Sequence, residues 1–340
     1  MITEKQITEK LSGLIDPTSG KTLKSNGGIR KITIDKENNK VYLIIALADD
    51  TSPKKDDFQY ELMKILKLEL GFSGVRVEYT KLNTRAAGET TILAPNSKVN
   101  FLAVASGKGG VGKSTLTANI GVALSRMGKK VGIIDADIYG SSINQVMEIT
   151  KLPTQRENLI IPVLKEGIEV ITTAMLVDGN KPIMWRGPML QKLLKHFLND
   201  VKWSADIEYI LIDLPPGTGD VAMDIQQLIP QTRQLLVTTP HPSASHVAVR
   251  AGLMAKELRH PIIGVIENMS YLEIDGNKHN VFGNGGGQQV SKELGIELLE
   301  QIPLTQPTNG KYHSLFLETD ELSKTYDRIA EQIIDSFNKK

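Results

Sequence analysis

Apolar positions along this chain follow two different patterns, and the change between them falls between Tyr79 and Val99. In the first stretch they are sparse and periodic. Ile7, Leu11, Leu14 and Ile15 recur at helical spacing, and Asp16-Pro17-Thr18-Ser19-Gly20 closes that helix with turn-forming residues. Ile29 to Ile34 and Val41 to Ala46 read as two strands around a turn at Glu37 to Asn39. A helix bearing Phe58, Leu62, Ile65 and Leu66 follows, and then a strand from Val75 to Tyr79. Helix, strand, strand, helix, strand predicts a small open-faced α/β sandwich over residues 1–84. Residues 85–98 are polar and small, as a linker is. In the second stretch, 99–340, the apolar positions come as solid blocks: Phe101 to Ala105, Lys130 to Ile134, Tyr209 to Ile212, Gln234 to Thr238, Ile262 to Ile266 and Leu298 to Ile302. Helical patterns separate these blocks, which predicts a mostly parallel sheet covered by helices on both faces.

Chemistry concentrates where these blocks end, and in such a sheet ligands bind beyond the carboxyl ends of the strands. After Phe101 to Ala105 comes Ser-Gly-Lys-Gly-Gly-Val-Gly-Lys-Ser-Thr115, followed by Leu116, Ile120, Ala123 and Leu124 at helical spacing. Gly107, then Gly112, Lys113 and Ser114, have the spacing of a Walker A phosphate-binding loop. Glycines let successive N–H groups turn toward phosphate oxygens, and the positive end of the following helix faces the same anion. Gly107, Gly109, Gly110, Val111, Gly112, Lys113, Ser114 and Thr115 are therefore the candidate nucleotide-binding residues, with Lys113 on the β- and γ-phosphates and Ser114 on Mg²⁺. A second apolar block ends in Asp135-Ala-Asp137, and a third in Asp213-Leu-Pro-Pro-Gly217-Thr-Gly-Asp220. Asp213 has the Walker B position, where a carboxylate holds Mg²⁺ through water. A turn-capping role is open for one of Asp135 and Asp137. Gly217 and Gly219 give the next loop the freedom to respond to a γ-phosphate, and Asp220 is open as part of that switch or as a helix N-cap.

Composition removes several alternatives. Lys plus Arg total 40 against 39 for Asp plus Glu, so no bulk charge draws the chain to nucleic acid or anionic membrane. There is no cysteine, hence no disulfide and no thiolate ligand from this chain. The six histidines show no paired metal spacing. The amino-terminal residues lack a signal-peptide core and no apolar run reaches bilayer length, which makes a cytoplasmic protein with no membrane span the expectation.

Lys108 sits where an ordinary Walker A accepts almost any residue, and the result resembles the deviant Walker A of the MinD, ParA and nitrogenase-iron-protein ATPases. That resemblance implies a homodimer in which Lys108 crosses to the partner's nucleotide. Further along, Asp135-Ala-Asp-Ile-Tyr-Gly140, Met184-Trp-Arg-Gly-Pro188, Asp213 to Asp220, Glu267-Asn-Met-Ser-Tyr271 and Val281-Phe-Gly-Asn-Gly-Gly-Gly287 together resemble the Mrp/ApbC family of P-loop ATPases, from Phe101 almost to the last residue. The leading unit, with Leu14-Ile-Asp-Pro17, resembles the small iron–sulfur-assembly domain that many bacterial members carry. The resemblance implies slow, Mg²⁺-dependent ATP hydrolysis, with Lys108, Lys113 and Asp137 as catalytic residues. Asp137 positions the attacking water and shares the Mg²⁺ shell with Ser114 and Asp213, and Asn268 binds the adenine edge. It also implies iron–sulfur clusters as cargo, passed to apoprotein clients.

One segment departs from that pattern. Where the family's carriers place Cys-x-x-Cys, this chain has Leu272-Glu-Ile-Asp-Gly-Asn-Lys-His-Asn280, with hairpin chemistry at Asp275-Gly276. No iron–sulfur ligand is assigned. The cysteine-poor, SalA-like branch of Firmicutes is similar in this respect, and its likeness implies an ATP-dependent regulator that binds DNA or a protein. A MinD-like surface ATPase would use an amphipathic carboxyl-terminal helix, but Leu322 to Phe337 reads more simply as a helix packed on the sheet.

Overall fold

The computed structural model describes residues 2–35, 38–49, 51–81, 92–93, 97–137, 140–156, 159–176, 187–217, 223–225 and 228–339. Expectations on Glu37, Ile138, Tyr139, Met184 to Arg186, Gly219 and Asp220, and on most of the segment 85–98, lie outside the described residues. The chain divides into two compact units, Met1–Glu89 and Thr90–Lys340.

In the first unit the order is α1 (Glu4–Leu11), β1 (Ile29–Asp35), β2 (Lys40–Leu47), α2 (Lys55–Met63, continued by a π-helical turn over Lys64–Glu69) and β3 (Gly74–Lys81). Thr3 opens α1 with a reciprocal capping box to Gln6, satisfying two otherwise orphaned N–H groups. The helix stops at Leu11, short of the Leu14 and Ile15 that the apolar spacing adds to it. Asp16 is the reason. Its fully buried carboxylate accepts hydrogen bonds from the N–H groups of Thr18 (2.9 Å), Ser19 (3.1 Å) and Ala48 (2.8 Å) and from Asn26 Nδ2 (3.2 Å), which requires a non-helical chain before it. Ile15 instead bridges to Thr22 and is exposed. β2 pairs antiparallel with β1 and parallel with β3, and one face of this sheet packs Leu43 and Ile45 against Ile7, Leu11, Phe58, Leu62 and Leu66.

The second unit continues with β4 (Asn100–Ser106), α3 (Lys113–Arg126), β5 (Val131–Asp135), α4 (Ile143–Val146), β6 (Thr154–Arg156), β7 (Leu159–Ile161), β8 (Val163–Lys165), β9 (Ile168–Thr172), α5 (Gly187–Asn199), β10 (Tyr209–Asp213), β11 (Arg233–Thr238), α6 (Pro242–Glu257), β12 (Ile262–Glu267), β13 (Leu272–Ile274), β14 (Asn277–His279), α7 (Gly286–Leu294), β15 (Leu298–Gln301) and α8 (Ser323–Asn338). Its main sheet has the order β15-β12-β11-β4-β10-β5-β9-β8, parallel except for β8 against β9. All six apolar blocks are strands in it. β8 and β9 were not legible as blocks: β8 is three residues long, and Glu169 interrupts the five of β9.

Alternation along β4 shows how the core is built. Leu102 and Val104 join α3 and α8 on one face, while Phe101, Ala103 and Ala105 join α5, α6 and α7 on the other. α8 buries Tyr326, Ile329, Ala330 and Ile333 in the cluster that contains α3, so its apolar stripe is used internally. Each of those isoleucines contributes about 1.5–3 kcal/mol by burial. No helix among the described residues is long and apolar enough to cross a membrane.

Candidate functional site

The loop from β4 into α3 takes its shape from glycine. Gly110 and Gly112 have φ of 82° and 83°, left-handed values that disfavour any side chain. At Gly107 a Cβ would lie 2.3 Å from the backbone of Val247 in α6, so loop and helix touch main chain to main chain.

Lys113 begins α3 and is buried, with Nζ 2.8 Å from Oδ1 of Asp213, the last residue of β10. Ser114 Oγ donates to Asp213 Oδ2 at 2.5 Å, and Thr117 Oγ1 donates to Oδ1 at 2.9 Å. Topology brings these together. β10 lies between β4 and β5, and Asp213 is in register with Val104 on one side and Asp135 on the other. Thr117 was missed in the sequence; its signal is its position one helical turn after Lys113, on the same face. The following loop is laid along β4, Leu214 N donating to Val104 O (3.1 Å) and Gly217 N to Ser106 O (2.8 Å).

Both carboxylates after β5 cap turns, a role the sequence left open for only one of them. Asp135 accepts from Asp137 N (3.0 Å), Ser141 Oγ (2.8 Å) and Ile143 N (3.2 Å), and Asp137 accepts from Gly140 N (2.9 Å). Aspartate side chains readily accept from backbone N–H groups two or three residues ahead, which is the spacing of Asp137 N from Asp135 and of Gly140 N from Asp137. Burial, reinforced by the nearby charge of Asp213, pushes Asp135 up to about 7, against the pull of its three hydrogen bonds. Asp137 is buried on the same rim.

Asn268 follows β12. Its N–H donates to Thr238 O, and its side-chain amide donates to Val111 O in the glycine-rich loop at 2.9 Å. Glu267 before it is a second residue that sequence reasoning missed. Buried, it accepts from Ser270 Oγ (2.8 Å), Gln301 Nε2 (2.6 Å) and Gly287 N (2.5 Å), and so ties the Asn268 turn to β15 and to the start of α7. Gly109 is exposed, and Thr115 is half-buried with its carbonyl accepting from Asn119.

Lys108, which the sequence left without a task in its own subunit, has one. It is exposed, its carbonyl accepts from Ser106 Oγ (3.1 Å), and its Nζ donates to Ser243 Oγ (3.2 Å) in the first turn of α6. The segment between Glu267-Asn-Met-Ser-Tyr271 and Val281-Phe282 is the hairpin β13–β14, with Asp275 and Gly276 at positive φ. Glu273 to Asn284 are all exposed, and Lys278 Nζ lies 4.0 Å from the centre of the Tyr271 ring. Among the described residues no three His, Asp or Glu side chains converge as a metal site.

Residues 98–334 match the ParA family, described as NUBPL iron-transfer P-loop NTPase. An iron-sulfur cluster carrier protein of Bacillus subtilis (strain 168) is 39% identical over 345 residues, 98% of each chain. One from Mycobacterium tuberculosis (strain ATCC 25618 / H37Rv) is 40% identical over 321 residues, 88% of this chain and 83% of the relative. Among solved structures, the nucleotide-binding protein of Archaeoglobus fulgidus in complex with ADP is 30% identical with a TM-score of 0.54, over 69% of this chain and 88% of that one. The cell division ATPase MinD of Pyrococcus furiosus, 21% identical with a TM-score of 0.51 over 70% of this chain and 99% of its own, shares the fold.

Proposed function

The chain belongs to the ParA family of NUBPL-type iron-transfer P-loop NTPases, and from that premise we propose that it is a cytoplasmic, homodimeric, Mg²⁺-dependent ATPase that drives the transfer of iron–sulfur clusters to apoproteins. The observation that carries the nucleotide part is the convergence of Lys113, Ser114 and Thr117 on Asp213 at the carboxyl rim of the sheet.

In this reading Gly107 to Thr115 wrap the phosphates, and Lys113 exchanges its bond with Asp213 for one with phosphate oxygen. Asn268, beside the loop through Val111, takes the adenine edge. The oxygen donors of Ser114, Asp213 and Asp137 suit a hard cation, and Mg²⁺ when bound neutralises phosphate charge. Asp137 orients the water whose oxygen bonds to the γ-phosphorus as the bond to the β–γ bridging oxygen breaks, leaving ADP, phosphate and a released proton. Lys108 completes the partner's site. The protein's contribution is positioning and fixed charge.

The cluster is cargo, and the residues of this chain do not fit it as ligands. Without a cysteine, and with only exposed oxygen, amide and imidazole groups on the hairpin, the chain offers no thiolate to compensate an iron–sulfur core. The thiolates therefore belong to the proteins between which the cluster moves. The relatives' names favour this process over the regulatory alternative.

The experiment has two arms. Calorimetry and phosphate release with Mg-ATP test the nucleotide chemistry; no binding at millimolar ATP would remove it. Transfer from a cluster-loaded donor protein to an apoprotein, followed by visible absorption, is expected to speed up with the chain plus ATP and not with the chain alone. An unchanged rate would remove the transfer role and leave the ATPase standing.

A further inference from the structure

Resting on the reading of Lys108 as the residue that completes the partner's site, we propose that Ser243 is its intramolecular holder, a positioning residue that keeps the ammonium docked on α6 until a second subunit's nucleotide draws it away.

Three observations support this. The first is direction. β11 and β10 flank β4 on opposite sides. Lys113 reaches the β10 side, where Asp213 receives it, whereas Lys108 reaches the β11 side, where Ser243 stands in the helix that follows that strand. The two lysines of one loop are thus turned apart. The second is anchorage. Ser243 Oγ lies 2.8 Å from His241 Nδ1, whose single lone pair also accepts from Ser243 N at 3.1 Å; with Nδ1 unprotonated the hydroxyl shares that acceptor and turns a lone pair to the ammonium. Meanwhile Ser106 fixes the Lys108 carbonyl, and the Gly107 backbone abuts Val247. The third is the strength of the contact. A single exposed hydrogen bond to a neutral hydroxyl is weak, and the positive end of α6 opposes a cation beside it. A phosphate anion offers Lys108 far more, so the contact yields when a partner presents one.

The test is the protein concentration at which ATP drives dimerisation, read by sedimentation, together with phosphate release across the same concentrations. Ser243→Ala frees two lysines per dimer and is expected to lower that midpoint about three- to tenfold. Ser243→Thr, which keeps the hydroxyl, is expected to match the wild type, and Ser243→Asp, which binds the ammonium harder, to raise the midpoint. If Lys108→Ala abolishes the dimer while Ser243→Ala leaves the midpoint unchanged or raises it, the holder role falls and the reading of Lys108 stands. If Lys108→Ala dimerises like the wild type, both fall.

Discussion

Lys113 and Asp213 neutralise each other at 2.8 Å in a site that exposes only 6% of the lysine side chain and none of the aspartate. Removing one member leaves a buried charge without its counter-ion, which costs about 3–5 kcal/mol. Lys113→Ala is therefore expected to lose nucleotide binding and stability together, in calorimetry and urea unfolding respectively. Adding Asp213→Asn should recover most of the stability and none of the binding. A Lys113→Ala protein that unfolds at the wild-type urea concentration would contradict the pairing.

Gly112 tolerates no side chain for two separable reasons. Its φ of 83° costs an L-residue about 1–2 kcal/mol, and a Cβ would sit 2.2 Å from Asn268 Nδ2. Gly112→Ala should weaken nucleotide affinity by at least about tenfold and lower stability in urea unfolding. Asn268→Ala in that background, which also removes the proposed adenine contact, should restore only the steric part of that stability and none of the affinity. Full recovery of stability in the double variant would show that backbone strain contributes nothing.

The first unit should be acid-sensitive through Asp16. Burial alone would raise its pKa, but the N–H groups of Ala48, Thr18 and Ser19 together hold it below the usual carboxylate value. A carboxylate whose pKa is lower folded than unfolded adds stability above its unfolded pKa and loses it as pH falls through the folded one. Unfolding followed from pH 6 to pH 2 should show that loss below about pH 4, and Asp16→Asn should flatten it. A wild-type acid limb in the variant would assign the effect elsewhere.

Anaerobic incubation of the purified chain with iron and sulfide is expected to leave no cluster bound. Oxygen and imidazole donors spread along the exposed hairpin fix neither the charge nor the geometry of an iron–sulfur core. Iron and acid-labile sulfide co-eluting in stoichiometric amounts, with the matching visible absorption, would return the ligands to this chain.

Legibility in the sequence followed the range of the interactions. The glycine-rich loop, Asp213 and six of the eight strands of the main sheet were readable because each is encoded in a few consecutive residues: a spacing, or a solid apolar block. Thr117 and Glu267 were not, since nothing local marks a threonine inside a helix or a glutamate at a strand end until the sheet order places Asp213 and Gly287 beside them. The end of α1 was misjudged for the same reason, because Asp16 is held by Ala48, 32 residues away. Lys108 carried a recognisable motif, yet its contact with Ser243 spans 135 residues and is a product of strand order alone.

The bonds that close the nucleotide site also fix when it comes into being. Ser114 meets Asp213 across 99 residues, and Val111 meets Asn268 across 157. Closing such loops is slow, and the contacts they permit reward the chain only afterwards. During synthesis the glycine-rich loop thus leaves the ribosome long before its hydrogen-bond partners do, and it should remain a solvated turn until β10 and then β12 have emerged. Nucleotide arriving at that moment binds only the finished sheet. It would act as a late clasp over widely separated parts of the chain, and nascent fragments that end before Asn268 should bind it weakly.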